Sequence, residues 1–273
     1  MNIEKLINQF EEIDTTLPAL FIGHGSPMNG IEINDFSQTW ARLGAEIPTP
    51  KAVLCISAHW LTKGTAVTAM TYPRTIHDFG GFPSELYQVK YPAPGSPDLA
   101  EQTKSLIKKT TISLDHDWGL DHGTWTVVRH MYPEANIPVL QLSIDYNRPA
   151  AYHYELGRDL ASLRKRGVLI IGSGNMVHNL GMVAWNKIST PDFGFDWAKE
   201  MNTIFKSKLK DHDNNALINY PDLHKSAMLA IPTPDHYFPL MYVLGAKTTK
   251  DKVSFFNDHL VGGSLTMTGV KYG

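Results

Sequence analysis

Cysteine is nearly absent from this chain of 273 residues, which contains only Cys55. A single thiol excludes an intrachain disulfide and a metal cluster bound by thiolates. Cys55 lies in the apolar run of residues 52–56 (AVLCI), and a cysteine in such a run is typical of a packed core. We therefore interpret Cys55 as a core residue rather than as a catalytic thiol.

The chain also lacks an excess of charge and a long apolar run. It has 25 Lys and Arg residues against 27 Asp and Glu residues, and its formal net charge is -2, which gives no field to attract nucleic acid or anionic lipid. No apolar run reaches the length of a membrane span, and residues 1–18 form a polar amphipathic segment without the apolar centre of a signal peptide. These absences predict a cytoplasmic protein that binds neither nucleic acid nor a membrane.

Several common motifs are missing as well. The chain has no Walker loop, no G-x-G-x-x-G run, no H-E-x-x-H helix and no G-x-S-x-G elbow. The run GSGN at residues 172–175 could bind a phosphate through backbone N–H groups. Because no basic residue lies near that run in the sequence, we favour a different use for it.

The pattern of apolar residues predicts an α/β fold. Four short apolar runs, rich in β-branched residues, indicate buried strands at residues 18–23, 51–58, 137–144 and 168–172. Helical patterns lie between them at residues 35–45, 97–109, 124–131 and 149–166. This alternation favours a single domain, spanning residues 1–273, around a mostly parallel or mixed central sheet flanked by helices.

Two further features complete the predicted organisation. Near the C-terminus we expect helices at residues 193–210 and 222–230, and strands at residues 252–257 and 264–272 that pair antiparallel.

The longest irregular stretch, residues 72–97, is rich in proline, glycine and aromatic residues. A loop of this length in a compact domain is commonly functional. It either closes over a bound ring or forms a rigid surface loop packed by its own aromatic residues.

Histidine is the abundant residue, with 12 copies, and three of them follow predicted strands. His24 follows residues 18–23, His59 follows residues 51–58, and His178 lies six residues after residues 168–172. Ligands of open α/β sheets bind beyond the carboxyl ends of the strands. Each histidine alone could be an ordinary hydrogen-bonded residue in a turn. Three strand ends together favour a shared metal site, since imidazole is the commonest protein ligand for metals.

Two more histidines are candidates for the same site. His236 lies between Pro234 and Pro239, and prolines restrict the backbone in a way that suits a fixed ligand. His122 directly precedes a predicted helix, in a segment where histidine and acidic residues alternate. The alternative for that segment is a simple helix cap formed by Asp121 or Thr124.

The other histidines have weaker claims. We assign surface or core roles to five that lie in helical or late segments: His130, His153, His212, His224 and His259. His77 and His116 lie in the two loops that would flank the pocket.

Six short segments, taken in order, resemble a known family. They are residues 23–27 (GHGSP), 57–60 (SAHW), 77–83 (HDFGGFP), 120–123 (LDHG), 172–179 (GSGNMVHN) and 234–237 (PDHY). Together they are similar to the DODA-type extradiol dioxygenases, which are relatives of the LigB class of ring-cleaving enzymes. The resemblance extends from about residue 17 to residue 272 and implies a LigB-like α/β domain.

The resemblance also implies roles for the histidines. It makes His24, His59 and His236 metal ligands, and it makes His178 an acid/base close enough to the metal to be a fourth ligand. His122 would assist the binding of substrate or oxygen. LigB relatives use two histidines and a glutamate, the set typical of non-haem Fe(II) oxygenases, whereas His236 stands at the matching position here.

One divalent metal per chain is therefore expected, Fe(II) for catalysis with Zn(II) as the alternative, because zinc readily accepts an all-imidazole site. The implied reaction is the opening of a small catechol, such as 3,4-dihydroxyphenylalanine, with O₂, by a monomer or a small homo-oligomer. Arg74, His77 and Lys90 are candidates for contacting a substrate carboxylate. Two alternatives stay open, a zinc-dependent hydrolase on the same scaffold and a non-catalytic interaction protein.

Overall fold

The structure is a computed structural model that describes residues 10–12 and 14–273. Half of the polar N-terminal segment lies outside the described residues. The strands, in chain order, are β1 (Ala19–Gly23), β2 (Ala52–Ser57), β3 (Leu61–Thr62), β4 (Thr65–Thr68), β5 (Ile112–Asp115), β6 (Val139–Gln141), β7 (Ile144–Asp145), β8 (Val168–Gly174), β9 (Val253–Phe256), β10 (Leu260–Val261), β11 (Leu265–Thr266) and β12 (Gly269–Tyr272).

The helices are mostly short. In chain order they are α1 (Asp35–Glu46), α2 (Ser84–Tyr87), α3 (Pro97–Leu106), α4 (His122–Met131), α5 (Ala150–Leu160), α6 (Asp196–Lys210), α7 (Asn214–Ile218), α8 (Ala227–Ala230) and α9 (Phe238–Ala246). Turns of 3-10 helix span Pro27–Gly30, Ala161–Arg166, Leu180–Met182, Trp185–Lys187 and Tyr220–Asp222. Among the described residues, none of the helices is both long enough and apolar enough to cross a membrane.

A six-stranded mixed sheet forms the centre, in the spatial order β6-β2-β8-β1-β12-β9. β6, β2, β8 and β1 are parallel, whereas β12 pairs antiparallel with β1 and β9 pairs antiparallel with β12. Every residue of β1, β2 and β8 is buried. Strands buried on both faces need continuous apolar sequence, which is why these runs were recognisable.

Alternate residues of each central strand enter two different cores. In β1, Phe21 belongs to a core that includes residues of α5 and α9, whereas Leu20 and Ile22 belong to a core with residues of α1 and α4. Successive side chains of a strand point to opposite faces of the sheet. The central sheet is therefore covered by helices on both faces. Its carboxyl edge, where polar residues follow the strands, is the part of the sheet that can form a site.

Local sequence signals set the helix boundaries. The Asn34 side chain accepts hydrogen bonds from the backbone of Phe36 and Ser37 at the start of α1. Asp121 accepts from the Thr124 backbone at the start of α4. Both are N-cap interactions, which satisfy N–H groups that lack partners within the helix.

The predicted α/β class and mixed sheet are confirmed, and so are the four apolar strands, although residues 137–144 divide into β6 and the start of β7. The antiparallel pairing near the C-terminus is also confirmed. Cys55 is buried, as expected.

The predicted helix at residues 222–230 is wrong for its first half, since only α8 is α-helical there. The His224 ring nitrogen Nδ1 accepts the Ser226 backbone N–H at 3.2 Å. That side-chain hydrogen bond replaces a helical one.

Candidate metal centre

Five histidines converge at the carboxyl edge of the parallel strands, where the sequence predicted a site. His24 directly follows β1, His59 and His178 lie in the loops after β2 and β8, His122 is the first residue of α4, and His236 lies just before α9. Segments far apart in the chain thus meet at one end of the sheet.

The ring spacing of His24, His59 and His236 fits a shared metal. Their ring centroids are 5.0 Å (His24 to His59), 5.3 Å (His24 to His236) and 5.0 Å (His59 to His236) apart. Three imidazoles on one ion, with metal–nitrogen bonds of about 2.0–2.1 Å, place their centroids about 5 Å apart in tetrahedral geometry. The Nε2 atoms of His24 and His59 are 3.0 Å apart, as they would be on neighbouring coordination positions.

The ring nitrogens and carboxylate oxygens that could bind a metal ion, however, fall into two groups. One contains His24, His59 and His122, and the other contains His178, Asp235 and His236. Within each group the ligand atoms lie within 4.8 Å of one another. The triad that the family resemblance implies, His24, His59 and His236, thus spans both groups, and His122 lies as close to His24 and His59 as a ligand would.

Hydrogen bonds at Nδ1 orient the rings of His24 and His236. Nδ1 of His24 is 3.0 Å from Oγ of Ser173, and Nδ1 of His236 is hydrogen-bonded to the Asp235 carboxylate. Partners of this kind fix ring orientation and tautomer in metal-binding histidines. The consequence is that Nε2 is the nitrogen available for a metal on both rings.

The Asp78 carboxylate lies beside Nδ1 of His122 and Nδ1 of His59, as Ser173 and Asp235 lie beside Nδ1 of His24 and His236. Its Oδ2 is 2.9 Å from Nδ1 of His122 and 3.6 Å from Nδ1 of His59. Burial alone would raise the pKa of Asp78, but the hydrogen bonds and charge of His122 outweigh it and lower that pKa. Asp78 is therefore a carboxylate at neutral pH.

His178 differs from the other four histidines. Its ring is stacked on His236, with centroids 3.5 Å apart and planes inclined by 7°. Its backbone N–H donates to the Ala230 carbonyl at 2.9 Å. In the described part of the chain its ring makes no hydrogen bond, so no partner fixes its nitrogens as Ser173 and Asp235 fix those of His24 and His236.

Burial favours the neutral form of three of these imidazoles, those of His24, His59 and His178. It lowers the pKa of His24 and His59 well below the usual value, and the neighbouring histidines lower it further. Burial, with the charge of His236, lowers the pKa of His178 to about 3, although Asp235 opposes the shift. Neutral imidazoles present the lone pairs that a metal requires.

The aromatic loop, residues 72–97, lies against this cluster and is packed by its own side chains. The Phe79 ring is 5.6 Å from His122, 5.4 Å from Phe82 and 5.2 Å from Tyr87. The Trp125 indole N–H donates to the Ile76 carbonyl at 2.8 Å. The loop is thus ordered by aromatic contacts and also borders the site, so both uses considered from the sequence are compatible with its packing.

Two of the residues considered for a substrate carboxylate, Arg74 and His77, each make one hydrogen bond within the protein. Nε of Arg74 donates to the Trp118 carbonyl at 3.0 Å, and Nε2 of His77 is 3.0 Å from the Val89 carbonyl oxygen. Arg74 uses one of its five N–H donors in this contact.

Glycines allow the histidine-bearing segments to approach closely. A Cβ on Gly123 would overlap Oγ of Ser57 and lie 3.0 Å from Cδ2 of His59. A Cβ on Gly174 would overlap the His236 carbonyl. The small residues next to the histidines therefore serve backbone packing at the site.

Sequence reasoning did not assign roles to Asp78 and Ser173. Asp78 lies beside His77 in a segment already singled out, and an acidic residue within an aromatic loop was the available signal. The histidines left outside the site do lie elsewhere: His153 is buried with Nδ1 3.0 Å from the Tyr242 hydroxyl, and Nε2 of His130 is 2.7 Å from the Asn29 carbonyl oxygen.

Comparison with known proteins adds independent information. The profile of a family described as "Catalytic LigB subunit of aromatic ring-opening dioxygenase" matches residues 18–271. The chain is 48% identical over 263 residues to "4,5-DOPA dioxygenase extradiol" of Escherichia coli (strain K12), covering 95% of this chain and 96% of that protein. It is 36% identical to the protein of the same name from Beta vulgaris, covering 95% of this chain and 97% of the relative.

A solved structure shows the same fold. The crystal structure of an uncharacterised protein from Escherichia coli K12 superimposes with a TM-score of 0.82 at 42% sequence identity, covering 94% of this chain and 100% of that one.

Proposed function

Because the chain belongs to the family of the catalytic LigB subunit of aromatic ring-opening dioxygenases, we propose that it opens the ring of a small catechol with O₂ by extradiol cleavage. L-DOPA, cleaved between carbons 4 and 5, is the proposed substrate, since relatives with 48% and 36% identity carry the name 4,5-DOPA dioxygenase extradiol.

One observation carries the proposal: the imidazoles of His24, His59 and His236 come from distant segments and meet with ring centroids 5.0–5.3 Å apart, and Nε2 of His24 lies 3.0 Å from Nε2 of His59. Buried neutral imidazoles placed side by side lose hydration and gain little from one another. A divalent metal would satisfy their lone pairs. An interaction surface has no need of such an arrangement, so the non-catalytic alternative is not favoured.

His24, His59 and His236 would hold the metal, with His178 near enough to be a fourth ligand. When bound, Fe(II) would supply a Lewis acid that favours the catecholate and a redox centre for O₂. His178, whose ring nitrogens have no hydrogen-bond partner in the described part of the chain, would accept a catechol proton and return it later. His122 would orient the substrate through Nε2, and Phe79 would exclude water from one side.

A matched pair of substrates tests the reaction. After anaerobic reconstitution with Fe²⁺, the protein should consume one O₂ for each L-DOPA and form a yellow ring-opened product. L-Tyrosine lacks one hydroxyl and cannot chelate the metal, so no turnover is expected with it. Oxygen uptake and absorbance, measured together, give the result. Equal turnover of tyrosine would rule out bidentate binding.

A zinc-dependent hydrolase is the second candidate, favoured by the all-imidazole donor set. It would be supported if the purified protein holds zinc, gains no oxygen uptake on exchange for Fe²⁺, and hydrolyses an ester or amide panel. A catechol panel assayed in parallel with both metal forms separates the two functions.

A further inference from the structure

Asp78 joins the aromatic loop to the start of helix α4. Its Oδ1 accepts the backbone N–H of His122 at 2.9 Å, and its Oδ2 accepts from Nδ1 of the same residue at 2.9 Å. The side chain of Asp78 is only 15% exposed, and that of His122 only 6%. One carboxylate thus binds both the backbone and the ring of a single histidine.

The ring hydrogen bond has a defined chemical consequence. An ionised carboxylate only accepts hydrogen bonds, so Nδ1 of His122 must carry the proton. In the neutral ring, Nε2 is then the nitrogen with a lone pair. The centroid of the His122 ring lies 3.8 Å from that of His59 and 5.6 Å from that of His24. The ring that carries this lone pair is therefore part of the histidine cluster formed with His24 and His59.

We propose that Asp78 is a positioning residue, which holds His122 in the tautomer whose unprotonated Nε2 serves the site. The aromatic loop thereby determines the chemical state of His122 as well as covering one side of the cluster. The catalytic consequence rests on the proposed dioxygenase function, whereas the tautomer itself does not.

A purely structural role for Asp78 would be capping of α4, but another residue already fills it. Asp121 accepts the Thr124 backbone N–H at 3.0 Å and is itself fixed by the Gln141 amide at 2.7 Å. The second oxygen of Asp78 would have no function in a cap. Its position against Nδ1 of His122 is explained by control of the ring.

The tautomer can be measured without metal or activity. Histidine-selective ¹⁵N labelling of the metal-free protein, with long-range ¹H–¹⁵N correlation, reports which ring nitrogen carries the proton. The His122→Gln variant identifies the His122 signal by its disappearance. We expect the Nδ1–H form in the unsubstituted protein and the Nε2–H form in Asp78→Asn, because the asparagine amide can donate to Nδ1. An Nε2–H form in the unsubstituted protein, or an unchanged tautomer in Asp78→Asn, would overturn the proposal.

A double-mutant cycle tests the catalytic consequence in the Fe²⁺-reconstituted enzyme. Asp78→Asn should lower kcat about 10- to 100-fold, the usual effect of removing the partner of a site histidine. If Asp78 acts through His122, it should cause no further loss in the His122→Gln background. Asp117→Asn is the matched control, an exposed aspartate in the loop before α4 that should leave kcat unchanged.

Multiplicative losses of kcat in the double variant would overturn the link between Asp78 and His122. Should the unsubstituted enzyme show no oxygen uptake at all, the proposed function fails while the tautomer measurement still decides the role of Asp78.

Discussion

At the scale of single residues, His178 and His236 lie against each other but are fixed differently. His236 is bonded to Asp235, whereas the ring of His178 is only stacked upon it. We expect His236→Ala to lose most of the bound metal, because a site without thiolates depends on each ligand. His178→Ala should keep the metal and lose about 10²–10⁴ in turnover, the usual value of positioned proton transfer.

Metal analysis and oxygen-uptake assays of the purified variants distinguish these outcomes. His116→Ala, a change at an exposed histidine, is the control. If His178→Ala is as depleted of metal as His236→Ala, His178 is a ligand of equal rank. The proton must then be carried by another group, for which His122 is the next candidate.

How far the sequence predicts the site depends on where each residue's partner lies. His24, His59 and His178 were predictable because each follows a recognisable apolar strand. The two contacts of Asp78 were not, because His122 lies 44 positions away in sequence. No local pattern specifies which carboxylate a distant loop will bring to a histidine.

At the scale of elements, the end of β8 connects three parts of the site. The Gly174 carbonyl accepts the His24 backbone N–H at 3.3 Å, and the His236 carbonyl accepts the Asn175 backbone N–H at 2.9 Å. Gly174→Ala would force Cβ against the His236 carbonyl. We expect weaker metal binding and a destabilisation of about 1–3 kcal/mol, as for overpacked cores.

Metal titration and urea unfolding measure both effects. Gly80→Ala is a suitable control, since a Cβ there meets no atom within 4 Å. Metal affinity equal to that of the unsubstituted protein would show that the close approach at Gly174 has no part in placing His236.

Strands were predictable where they are long and apolar, and difficult where they are short and contain polar residues. β2 and β8 are fully buried and read as apolar runs. The parallel pair β4 and β5 was not predicted, because both strands are only four residues long and contain polar residues. Their pairing depends on residues 47 positions apart, Thr65 and Ile112.

At the scale of the whole molecule, buried histidines link stability to pH. The pKa of His24, His59 and His178 is lowered on folding, so the unfolded chain binds more protons below about pH 6.5. Stability of the metal-free protein should therefore fall as the pH drops from 7 to 5. Each such histidine contributes a slope of up to about 1.4 kcal/mol per pH unit.

Urea unfolding of the metal-free protein at pH 7, 6 and 5 measures that slope. His178→Gln should reduce it. The lowered pKa of Asp78 and Asp235 acts only below about pH 4, and Asp121, whose pKa is raised by burial, contributes equally to both proteins. The same slope in both proteins would mean that His178 is protonated as easily in the folded state as in the unfolded chain.

The position of β12 also has a consequence for the order in which the sheet and the histidine cluster can form during synthesis. This strand, Gly269–Tyr272, lies between β1 and β9, and Arg164 donates to the Tyr272 carbonyl. β1 therefore gains its second neighbour in the sheet only after residues 269–272 have been synthesised. His24 directly follows β1, so we expect the histidine cluster to reach its final form only after β12 has paired with β1.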